Sequence, residues 1–155
     1  MRLIPMKGGY MKLVFGVLLI LSVATFASAE ILSVKQNSVE ISDSSNSYIA
    51  QVILVVRRHY PLNVVQKEGK NYNVSDYMGR EGWVDKSAIG TGRTVVVKVG
   101  RGNIRTGPGT EHDLMFRANR GVVFKVLDRK DDWLKVEHES KRVGWIARSL
   151  VWGNG

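Results

Sequence analysis

Histidine is the side chain that proteins use most often as a general base near neutral pH, and this sequence has three: His59, His112 and His138. Nucleophilic catalysis needs such a base within hydrogen-bonding reach of a serine, threonine or cysteine. Each histidine lies in a polar or turn-like stretch, and strand alternation would place His138 on the face opposite its two glutamate neighbours. We therefore expect solvated surface histidines, no catalytic residue and no enzymatic activity.

Metal and thiol chemistry have little support in the sequence. It has no cysteine, which excludes a disulfide scaffold, a thiolate zinc site and a cysteine nucleophile. The adjacent carboxylates Asp131 and Asp132 fall in a predicted turn, where aspartate is favoured for local reasons. A site made by His112 and Asp113 is the remaining alternative for a metal ion. The sequence predicts no metal and no cofactor.

The N-terminal stretch, 1–29, forms a segment of its own. Lys7 and Lys12 precede an apolar run at 13–26 that is followed by Ala27-Ser28-Ala29. Positive charge, an apolar run and small residues, in this order, are typical of a secretory signal peptide. The alternative is an uncleaved membrane anchor, but the run is shorter than the roughly 20 residues that a spanning helix needs. We predict cleavage before Glu30, no transmembrane helix afterwards, and export to the periplasm or the extracellular space.

The net charge of +9 is unevenly distributed. Residues 30–90 carry seven basic and seven acidic side chains, whereas residues 91–155 carry thirteen basic and seven acidic ones. Such an excess favours encounter with anionic partners, which outside the cytoplasm means wall polymers, acidic glycans, lipid headgroups or acidic proteins. The alternative is a solvated face that keeps the protein soluble. No nucleic acid partner is expected, because a signal peptide separates the protein from nucleic acid.

Short strands are predicted throughout the chain that follows the signal segment. Valine and isoleucine are abundant there, and apolar residues alternate with polar ones in stretches such as W-L-K-V at 133–136. Alternation with period two and β-branched residues indicate strands, and turn-forming residues recur between them. The predicted fold class is therefore all-β.

The sequence aligns with itself when it is shifted by 62 residues. The shift places Gly82-Trp83-Val84 on Gly144-Trp145-Ile146, and one further position of offset places Ile41 on Ile104. Such self-similarity predicts two copies of one structural unit.

We place the first unit at residues 30–90 and the second at residues 91–155, joined through Gly90-Thr91-Gly92. Units of this length lie near the lower limit for a core that folds alone. We therefore expect the two units to pack against each other.

The second unit carries three motifs in order: N-I-R-T-G-P-G at 103–109, D-W-L-K-V at 132–136 and V-G-W-I at 143–146. Together they resemble the bacterial SH3-like (SH3b) domain, whose members carry N-x-R-x-G-P-G, D-W-x-K-V and G-W-V. The resemblance implies a small β-barrel, and with the repeat it implies two tandem SH3-like barrels after the signal peptide.

The first unit resembles this family less closely. It keeps G-W-V at 82–84, but Ser42 stands where Arg105 aligns and Asn71 replaces Trp133. The first unit therefore resembles the family at its core positions but lacks the loop motifs, as a degenerate copy would.

Glycine has two predicted roles in the motifs. Gly107 and Gly109 would permit positive φ on either side of Pro108, in a tight exposed turn. The glycine before Trp145, like the one before Trp83, would let a neighbouring strand approach while the indole fills a small core. We predict both tryptophans as core residues rather than as a ligand platform.

For function, the resemblance implies a non-catalytic binding module of the cell envelope, with peptidoglycan or its peptides as the first ligand class. The candidate ligand-binding residues are Asn103, Arg105, Trp133 and Trp152. Arg105 could pair with a carboxylate, and the indole of Trp133 or of an exposed Trp152 could cover an apolar or sugar surface. For Trp133, core packing is the alternative.

A different class of function is a structural or adaptor protein of an envelope assembly. The first unit keeps its core positions and loses its loop signatures, as a spacer or a docking surface would. The expected partner is therefore either a cell-wall component or an envelope protein. The sequence leaves the ligand and the oligomeric state open.

Overall fold

The computed structural model describes residues 29–155, so the predicted signal peptide lies outside the described residues except for Ala29. Within the described part, the strands pair antiparallel in two seven-stranded sheets, one for each unit. No helix in this part is long and apolar enough to cross a membrane. The all-β fold class predicted from the sequence is confirmed.

The strands of the first sheet are β1 (Glu30–Val34), β2 (Ser38–Ser42), β3 (Val52–Arg57), β4 (Pro61–Glu68), β5 (Asn71–Ser75), β6 (Glu81–Asp85) and β7 (Ile89–Gly90). The strands of the second sheet are β8 (Thr94–Val97), β9 (Arg101–Arg105), β10 (Leu114–Asn119), β11 (Val123–Lys130), β12 (Trp133–Glu137), β13 (Val143–Ala147) and β14 (Val151–Gly153). A single 3-10 turn precedes the last strand in each unit, at Lys86–Ala88 and at Arg148–Leu150.

The two sheets have the same strand order. The first runs β3-β2-β6-β5-β4-β1-β7, and the second runs β10-β9-β13-β12-β11-β8-β14. Each strand of the second sheet occupies the place of the strand seven numbers earlier in the first. The two units are therefore structural copies of each other.

Left-handed backbone angles recur at the same places in both units. Three pairs of residues with positive φ are related by the offset of the repeat: His59 (71°) with Gly121 (86°), Gly69 (57°) with Asp131 (52°), and Gly79 (78°) with Lys141 (67°). One member of each pair is glycine, which adopts this conformation at little cost. The turns therefore follow the same offset as the strands.

Each unit has a core made mainly of valine, isoleucine and leucine, with Tyr60 in the first and Phe124 in the second, but neither Trp83 nor Trp145 is part of it. Along β13, Gly144 and Ile146 are buried, whereas Trp145 between them is half-buried on the other face. Trp83 has the same position in β6. The prediction that these tryptophans fill the cores is wrong, because neighbouring residues of a strand point to opposite faces.

Gly144, the residue before Trp145, determines which face of β13 points into the core. A Cβ on Gly144 would lie 3.1 Å from the carbonyl oxygen of Arg105 and still closer to the Ile104 side chain. Gly144 therefore faces the core, where β9 crosses closely, as the sequence predicts for this glycine. Gly82 meets Ile41 in the same way in the first unit.

The two units pack against each other through β8. Val95 and Val97 belong to the core of the second unit, whereas Val96 belongs to the core cluster of the first unit. The buried hydroxyls of Ser33 and Thr94 are 2.6 Å apart across the same boundary. The valine run of β8 is buried on both faces because each face serves a different core.

Candidate functional site

Three adjacent strands of the second unit present a row of side chains away from its core. Arg105 on β9 lies opposite Trp145 on β13, which in turn lies opposite Lys135 on β12. Directly opposed residues of antiparallel strands share one face of the sheet, with Cβ atoms about 5 Å apart. Asn103 and Trp133 are each two positions from a member of this row, so they share that face. We call these five half-buried residues the outer face.

The outer face combines two indoles with two cationic groups. An indole covers apolar surfaces or the faces of sugar rings, and a guanidinium can hold a carboxylate with two parallel hydrogen bonds. Trp133 and Trp145 are diagonal neighbours on adjacent strands, because Trp133 pairs with Ala147. The arrangement is suited to a ligand that carries both a flat or apolar surface and an anionic group.

Hydrogen bonds orient two of these polar side chains. Arg105 donates through Nη1 to the carbonyl oxygen of His112, at 2.8 Å. This bond involves one of the five N–H donors of the guanidinium. Asn103 accepts a bond of 3.3 Å from Nε of Arg117 on the neighbouring strand β10. Arg105 therefore both holds the following loop and faces outward.

The loop from Thr106 to Asp113 is closed by its own contacts. The amide of Thr106 donates to the carbonyl oxygen of Asp113 at 2.9 Å. A Cβ on Gly107 would lie 2.6 Å from atoms of the His112 ring. Gly107 is not one of the positive-φ glycines of the described chain, so the predicted reason for it is wrong. It is needed because the imidazole packs against it.

The structure brings together three of the four candidate residues. Asn103, Arg105 and Trp133 share the outer face, and Trp133 lies outside the core. Trp145, which sequence reasoning assigned to the core, joins them. Strict alternation along β13, with the glycine facing inward, was the signal that could have placed it there.

Trp152 lies elsewhere and is not the exposed aromatic residue that the sequence predicts. It is on β14, opposite Val96 of β8, and packs half-buried against the core cluster of the first unit. Its position is explained by the packing of the two units, which covers this end of the second sheet. Trp152 stabilises the boundary between the units.

The corresponding face of the first unit has a different chemical character. Ser42 and Asn73 flank Trp83 there, where Arg105 and Lys135 flank the equivalent tryptophan in the second unit. Asn71 stands at the position of Trp133. On this face, the two units have in common only the tryptophan, which is Trp83 on β6 and Trp145 on β13.

One serine hydroxyl lies within hydrogen-bonding reach of a histidine in the described chain. His138 Nδ1 is 2.8 Å from Ser140 Oγ, and it accepts from the Ser140 amide at 3.2 Å. At the equivalent positions of the first unit, Asp76 accepts from the amide of Met78 at 2.9 Å. The histidine therefore has the same turn-forming role as the aspartate, on an exposed turn.

No group of three or more histidine, cysteine, aspartate or glutamate side chains among residues 29–155 is placed to hold a metal ion. His112 and Glu111 come within 3.6 Å of each other, with the side chain of His112 half-buried and that of Glu111 exposed.

Comparison with known proteins identifies the second unit. Residues 98–153 match the family model described as the bacterial SH3 domain. The match includes every residue of the outer face. The second unit is therefore a bacterial SH3 domain, as its three motifs predict.

Two curated relatives are wall amidases by name. A probable cell wall amidase, LytH, of Staphylococcus epidermidis is 30% identical over 66 residues, which cover 42% of this chain and 22% of that protein. A putative N-acetylmuramoyl-L-alanine amidase, YrvJ, of Bacillus subtilis is 24% identical over 107 residues, which cover 62% of this chain and 20% of that protein. The chain thus spans about a fifth of the length of these relatives.

Two solved structures have a partial likeness to the chain. NlpC1 from Trichomonas vaginalis aligns with a TM-score of 0.38 and 16% identity, over 83% of this chain and 47% of that one. An NlpC/P60 family protein from Bacillus cereus aligns with a TM-score of 0.39 and 9% identity, over 79% of this chain and 56% of that one. Both scores are low, so the fold assignment rests on the strand order and on the family match.

Proposed function

We propose that this protein is a non-catalytic binding module of the cell envelope, exported by its N-terminal segment, which binds peptidoglycan through the outer face of the second unit. The observation that carries the proposal is the row formed by Arg105, Trp145 and Lys135, with Trp133 beside it. A peptidoglycan strand offers both sugar rings, which indoles cover, and peptide carboxylates, which a guanidinium binds.

The asymmetry between the units supports the second unit as the one that binds. Among residues 30–155 it carries the whole excess of basic residues, and its outer face has the cations that the first unit lacks at Ser42 and Asn73. The first unit then serves as a structural partner that buries Val96 and Trp152. The names of the amidase relatives point to the same polymer.

Retention on purified sacculi tests this function. The protein is expected to sediment with sacculi at low salt and to be retained less, but still detectably, at moderate salt. Salt screens the exposed cations over a distance of about 10 Å at 0.1 M, whereas indole contacts are not screened. Absence of retention at both salt concentrations would contradict the proposal.

The same preparation separates binding from catalysis. The amount of soluble wall fragments should not increase when the protein is incubated with sacculi, because the proposed function is binding without catalysis. Release of fragments above the buffer control would instead identify the protein as a wall hydrolase.

An adaptor role is the second candidate, because one edge of the first sheet is apolar and exposed. On β3, the edge strand, Val52, Ile53 and Val55 are 50%, 46% and 56% exposed. An exposed edge strand can pair with a strand of another chain. Cross-linking that recovers one dominant envelope protein and no wall material would favour this role over wall binding.

A further inference from the structure

A cleft of about 400 Å³ lies between the two units. One wall comes from the first unit, at the end of β1 and at the turn containing Arg58 and His59. The other wall comes from the linker and from β11 of the second unit. None of the five outer-face residues lines the cleft, so it is a separate place on the molecule.

Cationic side chains line this cleft from both units. Lys35 and Arg58 belong to the first unit, and Arg93 and Lys125 belong to the linker and the second unit. Among the described residues, none of these four groups forms an ion pair within 4.0 Å, and no acidic side chain lines the cleft. Four like charges around one cavity repel each other, so an anion placed between them would be stabilised.

The floor of the cleft is fixed by hydrogen bonds across the boundary. The Ser33 hydroxyl lies 3.2 Å from the carbonyl oxygen of Gly92 and 2.6 Å from the Thr94 hydroxyl. Ser33 can donate to Gly92 while Thr94 donates to Ser33, so both hydroxyl protons are used. Within the other wall, the amide of Val126 donates to the carbonyl oxygen of Arg93 at 2.9 Å, which ties the linker to β11. The two walls are therefore held together before any ligand enters.

His59 lies in this cleft with a left-handed backbone, φ 71°, where the second unit has glycine at the equivalent position. Such a conformation costs a non-glycine residue about 1–2 kcal/mol. Burial, followed by the charges of Lys125, Arg58 and Lys141, lowers the pKa of His59 below its ordinary value of 6.5, and Glu137 opposes this. Two cations of the cleft, Lys125 and Arg58, therefore contribute to the lowered pKa of His59, after burial.

We propose that the cleft between the units is a binding site for an oxyanion, a phosphate or carboxylate group carried by an envelope polymer or peptide. Lys35, Arg58, Arg93 and Lys125 surround the anion, and both units are needed to assemble the site. The proposal is independent of the wall-binding role of the outer face, because the two sites share no residue.

Titration with inorganic phosphate and with succinate, followed by NMR on the whole protein, tests this site. Saturable shifts are expected at the amides of Gly92, Arg93 and Thr94, together with a rise in the pKa of His59, because a bound anion stabilises the imidazolium. Tighter binding of phosphate would identify a phosphate-bearing polymer as the source, and tighter binding of succinate a carboxylate-bearing one. Either result supports the proposal.

Two variants of β11 serve as test and matched control. Lys125→Gln removes a cation that lines the cleft and is expected to weaken anion binding about fivefold. It should also raise the pKa of His59 in the absence of anion, since Lys125 contributes most among the charges that lower it. Lys130→Gln makes the same change at an exposed position outside the cleft and should alter neither quantity.

Two outcomes would overturn the proposal. One is the absence of saturable shifts at the cleft with both anions at millimolar concentrations. The other is an equal loss of affinity in Lys125→Gln and Lys130→Gln, which would indicate binding to the general positive charge of the protein.

Discussion

Replacing Ile146 with alanine is expected to lower the free energy of unfolding by about 2–5 kcal/mol, whereas replacing its neighbour Trp145 is expected to cost only about 1 kcal/mol. Ile146 is fully buried in the core of the second unit, and Trp145 is half-buried on the outer face. The smaller side chain therefore has the larger effect. Urea denaturation of the two variants measures the difference.

The conservative variant Ile146→Val provides a control for the core assignment, because it removes one methylene and should cost about 0.5–1.5 kcal/mol. A Trp145→Ala variant as unstable as Ile146→Ala would contradict the register of β13. In that case the indole would have to be inside and the outer face would lose its central residue.

The repeat could be predicted from the sequence because it leaves a periodic signal. The constant offset aligns Gly82 with Gly144, and the structure gives both glycines the same close contact with the neighbouring strand. Likewise, the motifs between Asn103 and Ile146 predict a bacterial SH3 domain, and the family match confirms it. A backbone turn or a close contact between strands restricts which residue types can stand at a position. Such features can therefore be recognised in a single sequence.

The orientation of the tryptophans was predicted incorrectly for a specific physical reason. The sequence prediction places the indole of Trp145 in the core, but Gly144 faces the core and adjacent residues of a strand cannot share a face. Hydrophobicity favoured the indole for the core, but the close approach of Ile104 requires the glycine there. Strand geometry outweighs the size of the side chain, because a Cβ at this position would overlap with the neighbouring strand.

The boundary between the units could not be predicted from local patterns. Val96 is buried and Trp152 is half-buried against residues of the other unit, which alternation within one strand does not reveal. The cleft was missed for the same reason. Its cations come from both units. The first unit has a net charge of zero, so a charge count for each unit does not point to Lys35 and Arg58.

Substitutions of Trp83 on β6 and Trp145 on β13 test the proposed function most directly, since the two residues occupy equivalent positions in the two units. Trp145→Ala is expected to reduce affinity for purified sacculi about tenfold, because truncating an interface tryptophan typically costs more than about 1 kcal/mol of binding energy. Trp83→Ala removes the same side chain between Ser42 and Asn73 and is expected to leave affinity unchanged. Circular dichroism should show that both variants remain folded.

The decisive measurement is therefore the dissociation constant for sacculi of these two folded variants beside the unmodified protein. The account predicts a selective loss in Trp145→Ala. Equal affinities of all three proteins, or a selective loss in Trp83→Ala, would contradict the claim that the outer face of the second unit binds the wall.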